Sequence, residues 1–250
     1  MLEITIIPAL KDNYMYLLHD TKTNTYGIVD PAEAKAALKF IGKLDYILNT
    51  HHHWDHTGGN LEIKHRTGAK VIGSAADRKR IPGIDIGVTD GFTFGDIKVE
   101  VIAIPGHTSG HIAFYFKEDK VLFTGDTLFC VGCGRIFEGT YEQMYDSLQK
   151  LAKIPEETLV YCGHEYTKKN IEFALKIEPN NQELQMLDAK SKDVACTMPS
   201  TIKQERLTNP FLRTHSTEIR ESLGIKRNME GKARSDLDIF INLRQLKDQF

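Results

Sequence analysis

The sequence predicts an α/β layered core followed by an all-helical C-terminal third. Over the first two thirds, short β-like runs bounded by Gly, Asp and Asn alternate with helix-like stretches. From about Tyr166 onward, apolar residues recur at helical spacing and no strand-like run follows. At 250 residues the chain is long enough for one large domain, or for a core domain plus a smaller one, with a buried core of its own.

In chain order the β-like runs are Ile4–Pro8, Met15–Leu18, Gly27–Asp30, Tyr46–Thr50, Lys70–Gly73, Ile97–Ile104, His111–Phe116, Val121–Thr124 and Thr158–Cys162. Helices are predicted over Ala32–Ile41, Asn60–Thr67 and Tyr141–Ala152. In the last third, Ile171, Ala174, Leu175 and Ile177, then Leu184 and Leu187, mark helical faces, and Leu237–Leu246 forms a final helix. Pro179, Pro199 and Pro210 break that region into elements. The expected division is residues 1–165 as the α/β unit and 166–250 as a helical unit, with no internal repeat or low-complexity tract.

Composition narrows the function classes. Apolar residues make up 41% and charged residues 26%, the balance of a globular chain rather than a disordered one. The net charge of -2, from 32 basic and 34 acidic residues, supplies no general field toward nucleic acid or an anionic membrane. No window approaches the run of roughly 18 apolar residues that spans a bilayer, and Met1-Leu2-Glu3-Ile4-Thr5 does not read as a signal peptide. Cys130, Cys133, Cys162 and Cys196 are too few and too clustered for a disulfide framework. A cytoplasmic monomer with reduced thiols is expected, with neither nucleic acid nor membrane as a partner.

The sharpest motif is His51-His52-His53-Trp54-Asp55-His56, between the run Tyr46–Thr50 and the turn Thr57-Gly58-Gly59. One histidine alone is ordinarily a surface or core residue satisfied by a hydrogen bond. Four histidines and an aspartate within six residues are different. Packing them together costs desolvation and repulsion unless a cation is shared, and imidazole with carboxylate suits divalent first-row metals. If the strand stays extended past Thr50, His51 and His53 point one way and His52 the other, so His52 is expected to be a bystander.

A single loop cannot surround an ion, so further donors belong at other strand ends. His107, Asp126 and His164 each follow a predicted strand and sit beside glycine, which lets the backbone turn sharply and approach closely. His111, at the start of a strand, suits a supporting or packing role better than a ligand. His19, His65 and His215 stand alone in polar contexts and read as surface residues.

The ordered set His51-x-His53-x-Asp55-His56, His107, Asp126 and His164 resembles the metallo-β-lactamase superfamily, whose fold is an αβ/βα sandwich with a dinuclear site at the strand ends. Within it, Thr50–His56, Gly125–Phe129, Gly132–Arg135, Phe137–Thr140 and Gly163–Thr167 are similar to the glyoxalase II (hydroxyacylglutathione hydrolase) family. Asn209–Arg213 and Lys247–Phe250 carry the resemblance through the C-terminal third. The resemblance implies His51, His53 and His107 on a first metal, Asp55, His56 and His164 on a second, and Asp126 bridging both. The implied ions are divalent, zinc before iron or manganese.

It further implies hydrolysis of an S-(2-hydroxyacyl)glutathione such as S-D-lactoylglutathione, with water activated between the cations and Asp55 and Asp126 acting by position and charge. Arg135, Tyr166, Arg244 and Lys247 are the implied glutathione contacts; guanidinium groups hold carboxylates and a tyrosine hydroxyl bonds amides. Phe137 departs from the pattern, standing where some members carry a glutathione-contacting tyrosine. The Cys130-x-x-Cys133 spacing, without a second ligand pair, is a weak metal or redox signal. Rival readings are a lactone or β-lactam hydrolase, an iron-dependent sulfur dioxygenase, and a non-catalytic binding module that kept the fold.

Overall fold

The computed structural model describes residues 1–224 and 235–250. The first sheet runs in order β1 (Leu2–Ala9), β2 (Asn13–Asp20), β3 (Thr25–Val29), β4 (Tyr46–Asn49), β5 (Lys70–Ser74) and β6 (Ile84–Val88). Its first three strands are antiparallel, and β3 through β6 pair in parallel. The second sheet has β7 (Gly91–Phe94), β8 (Ile97–Ala103), β9 (Ile112–Phe116) and β10 (Val121–Gly125) side by side, then β13 (Leu159–Cys162) and β14 (Ser200–Thr201). Only β10 and β13 pair in parallel there. A small hairpin, β11 (Leu128–Phe129) with β12 (Gly132–Cys133), follows β10.

Side-chain alternation at period two explains the layering. Tyr14, Tyr16 and Leu18 of β2 face Phe114 and Phe116 of β9 and Phe123 of β10 in a core between the sheets. The intervening Met15, with Ile28, Ile47 and Val71, faces outward under α1 (Ala34–Ala37) and α3 (Asn60–Thr67). Ala113, Tyr115 and Leu122 face outward on the other side, under α4 (Tyr141–Ala152). Both faces of each sheet are therefore covered, the αβ/βα sandwich expected.

The C-terminal helices α5 (Thr167–Ile177), α6 (Gln182–Ser191), α7 (Ile202–Thr208), α8 (Thr217–Ser222) and α9 (Asp236–Asp248) complete the molecule. Phe173, Ile202, Phe211, Ile219 and Phe240 share one apolar layer with Met144 and Leu148 of α4. Capping boxes start two of the packed helices, Thr140 with Gln143 at α4 and Ser235 with Asp238 at α9. Among the described residues no helix is long and apolar enough to cross a membrane.

Several elements differ from expectation. The helix read over Ala32–Ile41 is a single turn, Ala34–Ala37, with only its alanines buried and no side-chain cap from Glu33. β6 and β7 are additional strands; β6 carries Asp85 and Gly87 and is largely open to solvent, so its alternation is weak. A two-residue strand, β14, also returns from the helical third to pair with β13.

The topology sends the C-terminal ends of β3, β4, β8, β10 and β13 to one edge of the sandwich, the usual place for a ligand in such sheets. Backbone bonds stitch the sheets there: Ile112 N–H to Thr50 O at 2.9 Å, Tyr14 N–H to Gly163 O at 2.9 Å and Glu165 N–H to Asp12 O at 2.8 Å.

Candidate metal centre

The loop after β4 runs extended through His51–His53 and then turns into the one-turn helix α2 (Trp54–Thr57), which presents Asp55 and His56. Asn49 Nδ2 holds the carbonyl of His56 at 3.0 Å, and the Thr57 hydroxyl caps back to His53 O at 3.0 Å. Gly125, at φ 48°, turns the chain from β10 into Asp126; a Cβ there would stand 2.3 Å from Thr50 Oγ1. Gly163 precedes His164 and leaves no room for a Cβ, which would lie 2.2 Å from Asp126 Oδ1.

All seven residues expected at the metals lie together. Donor atoms of His51, His53 and His107 fall within 4.8 Å of one another, as do those of Asp55, His56 and His164. Nitrogens and oxygens around one ion, at bonds of about 2.0–2.2 Å, stand a comparable distance apart. Asp126 reaches both groups: Oδ2 is 3.5 Å from His107 Nε2 and 3.2 Å from His164 Nε2, and Oδ1 is 3.3 Å from His56 Nε2.

The outer nitrogen of each buried ring is held by protein. His51 Nδ1 donates to Thr50 Oγ1 at 3.0 Å, His56 Nδ1 to Asp30 at 3.1 Å, His107 Nδ1 to the Arg135 carbonyl at 2.7 Å, and His164 Nδ1 to Asp12 at 2.9 Å. This leaves Nε2 of each ring facing inward, the pattern by which metal sites orient imidazoles. Asn13 Nδ2 holds the Asp55 carboxylate at 3.1 Å, and the Asp126 N–H donates to His111 Nε2 at 3.1 Å. His111 thus supports Asp126 and stacks on His51 at 4.5 Å.

Asp12, Asn13 and Asp30 were not singled out in the sequence. Asp30 did carry a signal, a carboxylate directly after a strand, as at Asp126. Its backbone sits at φ 49°, unusual for a residue with a side chain. Its carboxylate also lies near His51 and His56. Both oxygens are already engaged, by the Thr50 N–H, the Thr50 hydroxyl and His56, so Asp30 orients rather than coordinates.

A cation fits these residues. His51 Nε2 is buried without a hydrogen-bond partner, a cost of about 1–3 kcal/mol if nothing is bound, and His56 Nε2 and Asp126 Oδ1 face one another as an ion pair at 3.3 Å. Burial, then the neighbouring His56 and His111, hold His51 well below the usual imidazole range. Burial would raise Asp126, but His56 and His164 outweigh it and keep the carboxyl well below its usual range. Burial would likewise lower His164, yet Asp126 and Asp55 push it up to about 10. The carboxylates stay ionised, and the space between them favours positive charge.

The expected substrate residues share one cavity with this cluster. It measures about 790 Å³, and its walls include His53, Asp55, His107, Asp126 and His164 together with Arg135, Tyr166, Arg244 and Lys247. Tyr166 stacks flat on His164 at 4.8 Å. Lys247 Nζ stands over the Phe173 and Phe250 rings, and burial followed by the Arg244 charge lowers it to about 8. Arg135 is exposed, 3.3 Å from Asp248. Arg244 is only 4% exposed and already bonded, to the Cys133 carbonyl at 2.8 Å and to Asp248 at 2.9 Å. Phe137 and Trp54 are exposed at the cavity mouth, with Phe137 edge-on to the His53 and His107 rings.

His52 turns away, its Nδ1 3.1 Å from Asp77. His65 and His215 are exposed, and His19 stacks on Tyr26 far from the cluster. All four cysteines are free thiols, and burial pushes Cys133 up to about 11 and Cys162 to about 12, so neither is a thiolate at neutral pH.

Comparison with known proteins agrees with this geometry. The family model described as the metallo-beta-lactamase superfamily matches residues 20–164, and that of the hydroxyacylglutathione hydrolase C-terminus matches residues 165–250. A hydroxyacylglutathione hydrolase of Methylococcus capsulatus is 47% identical over 260 residues, covering 100% of this chain and 99% of that protein. One from Pelagibacter ubique is 48% identical, covering 87% and 95%. Among solved structures, the BLEG-1 B3 metallo-beta-lactamase has a TM-score of 0.65 at 23% identity, covering 85% of this chain and 99% of that one. ETHE1 from Myxococcus xanthus has a TM-score of 0.66 at 25% identity, covering 98% and 90%.

Proposed function

Because the chain belongs to the hydroxyacylglutathione hydrolase family of the metallo-beta-lactamase superfamily, we propose that it hydrolyses the thioester of S-(2-hydroxyacyl)glutathione, S-D-lactoylglutathione in particular, to glutathione and a 2-hydroxy acid. The observation that carries this reading is the single cavity in which a His/Asp metal cluster and a set of cationic and aromatic side chains face one another. Residues 1–165 supply the catalytic unit, and 166–250 bring Tyr166, Arg244 and Lys247 to the substrate wall. The four free thiols support a reducing, cytoplasmic setting.

Two divalent ions would be held here, one by His51, His53 and His107 and one by Asp55, His56 and His164, with Asp126 reaching both groups. Bound there, such ions polarise a carbonyl and bring the pKa of water from about 15.7 toward neutrality. Of the metals suited to imidazole and carboxylate donors, zinc is the one proposed, and elemental analysis separates it from iron or manganese.

The chain's own side chains do the rest. Asp30, Asp12 and the Arg135 carbonyl aim the rings of His56, His164 and His107, while Asn13 and His111 hold Asp55 and Asp126. Asp55 and Asp126 act by position and charge, since the thiolate of glutathione departs without an obligatory proton donor. Lys247 and Arg135 offer cations to the peptide carboxylates, and Tyr166 offers its hydroxyl to the peptide amides.

Two measurements check this reading. On metal-replete protein, S-lactoylglutathione should turn over while a lactone and a β-lactam do not, and chelation should abolish the activity. Turnover of either ring substrate in preference to the thioester overturns the assignment. In a second measurement, His52→Ala should keep wild-type metal content while His53→Ala loses metal. Equal loss in both variants would show that the loop has been misread.

A further inference from the structure

Four side chains, His52, Asp77, Arg80 and Glu138, meet behind the loop that carries His51 and His53. Arg80 Nη1 donates to both oxygens of Glu138 at 2.8 Å, and its Nε donates to Asp77 Oδ1 at 3.1 Å. Arg80 Nη2 reaches the Ser109 hydroxyl oxygen at 2.9 Å, and the Ser109 N–H and hydroxyl both donate to Glu138 Oε2 at 2.9 Å. The two nitrogens of His52 face the two carboxylates, Asp77 at 3.1 Å and Glu138 at 3.4 Å.

Asp77 is fully buried and packs on Gly110, where a Cβ would stand 2.0 Å from its Oδ1. The cluster therefore ties together segments far apart in sequence: the metal loop at His52, the turn at 77–80, the 107–111 loop and the 135–139 loop. The last of these matters most. Phe137 lies in it beside the His53 and His107 rings at the cavity mouth, and Arg135 O anchors His107. Two backbone bonds, Phe137 N–H to His107 O at 3.2 Å and Gly139 N–H to Gly106 O at 3.0 Å, are the loop's other ties to this edge. A forked guanidinium on a carboxylate sets geometry more than stability when both partners are partly exposed.

We propose that Arg80, acting through Glu138, is a positioning residue for the reaction: it latches the Phe137 loop against the loops bearing His53 and His107 and so shapes the wall on which the thioester substrate is held. The inference rests on the reading of this cavity as a glutathione thioester site. A free loop admits the substrate in several registers, which weakens binding without removing the metal donors.

The experiment compares Arg80→Gln, Glu138→Gln, Phe137→Ala and the Arg80→Gln/Phe137→Ala pair on S-lactoylglutathione and on the N-acetylcysteamine thioester of lactate, which lacks the peptide. Arg80→Gln and Glu138→Gln are each expected to raise KM for the glutathione substrate about five- to tenfold, with kcat and metal content near wild type. The small thioester should be little affected, Arg80→Lys should recover part of the loss, and the double variant should bind no worse than Phe137→Ala. An unchanged KM, equal rises for both substrates, or additive effects in the double variant overturn the latch. If Arg80→Gln does not fold, Glu138→Gln carries the same test. If wild-type protein does not turn over S-lactoylglutathione, the functional reading fails separately. Amide hydrogen exchange then reads the latch directly, with faster exchange at Phe137 and Gly139 expected in either variant and unchanged exchange overturning it.

Discussion

Asp126→Ala is expected to lower kcat on S-lactoylglutathione by about two to three powers of ten or more, with fewer metal equivalents per chain than wild type. Asp126 stands between the two donor groups, 3.2 Å from His164, 3.3 Å from His56 and 3.5 Å from His107. Its loss would remove a donor from both groups and also the charge that balances His56 and His164 in a buried setting. Asp126→Asn keeps the shape and one oxygen donor, so it should fall between wild type and alanine in both metal content and turnover. Full metal occupancy with full activity in Asp126→Ala would refute the shared-carboxylate reading.

Lys247→Ala and Arg135→Ala are expected each to raise KM for S-lactoylglutathione by about one to two powers of ten, since a charged hydrogen bond is worth about 1.5–3 kcal/mol. A contact remote from the reacting carbonyl is as strong in the ground state as in the transition state, so kcat should change little. A thioester lacking the peptide should show no comparable loss. Arg244 belongs to a different case, although it lies three residues from Lys247 on the same helix. It is buried, stacked over Phe211 at 5.2 Å, and bonded to the Cys133 carbonyl and Asp248. Arg244→Ala should therefore lower the melting temperature as well as raise KM, because it leaves a carbonyl and a carboxylate without their partner. Steady-state kinetics beside thermal melts separates the two behaviours, and unchanged KM in all three variants would remove α9 from the substrate wall.

Several elements were legible because their signals are local. α4 follows its 3.6-residue apolar periodicity, with Thr140 and Gln143 marking its start, and α3 ends at Gly68, whose φ of 75° suits glycine. β9 and β10 are short apolar runs buried on both faces. β6 has no such local signal, because Asp85 and Gly87 interrupt the alternation of a strand at the sheet edge. The helix expected over Ala32–Ile41 is one turn, of which only Ala34 and Ala37 are buried and whose N-terminus has no side-chain cap. At the cavity, glycine beside a strand-end His or Asp pointed to Asp126 and His164, and the structure brings both to the same few ångströms as the His51–His56 loop.

By itself the sequence determined the layered α/β class, the helical final third and the set of donor side chains, since periodicity, turn residues and motif spacing are written in neighbouring residues. Tertiary structure decided how those donors are aimed and what each cation beside them is bonded to. His56 takes its orientation from Asp30, 26 residues away, and His164 takes its own from Asp12, 152 residues away. Arg244 is held by the Cys133 carbonyl and Asp248, Lys247 by the Lys169 carbonyl, and His52 is turned to Asp77. These outcomes depend on the close packing of strand ends from distant segments, where a hydrogen bond either meets its partner to within a few tenths of an ångström or is not made, and no local pattern encodes that distance.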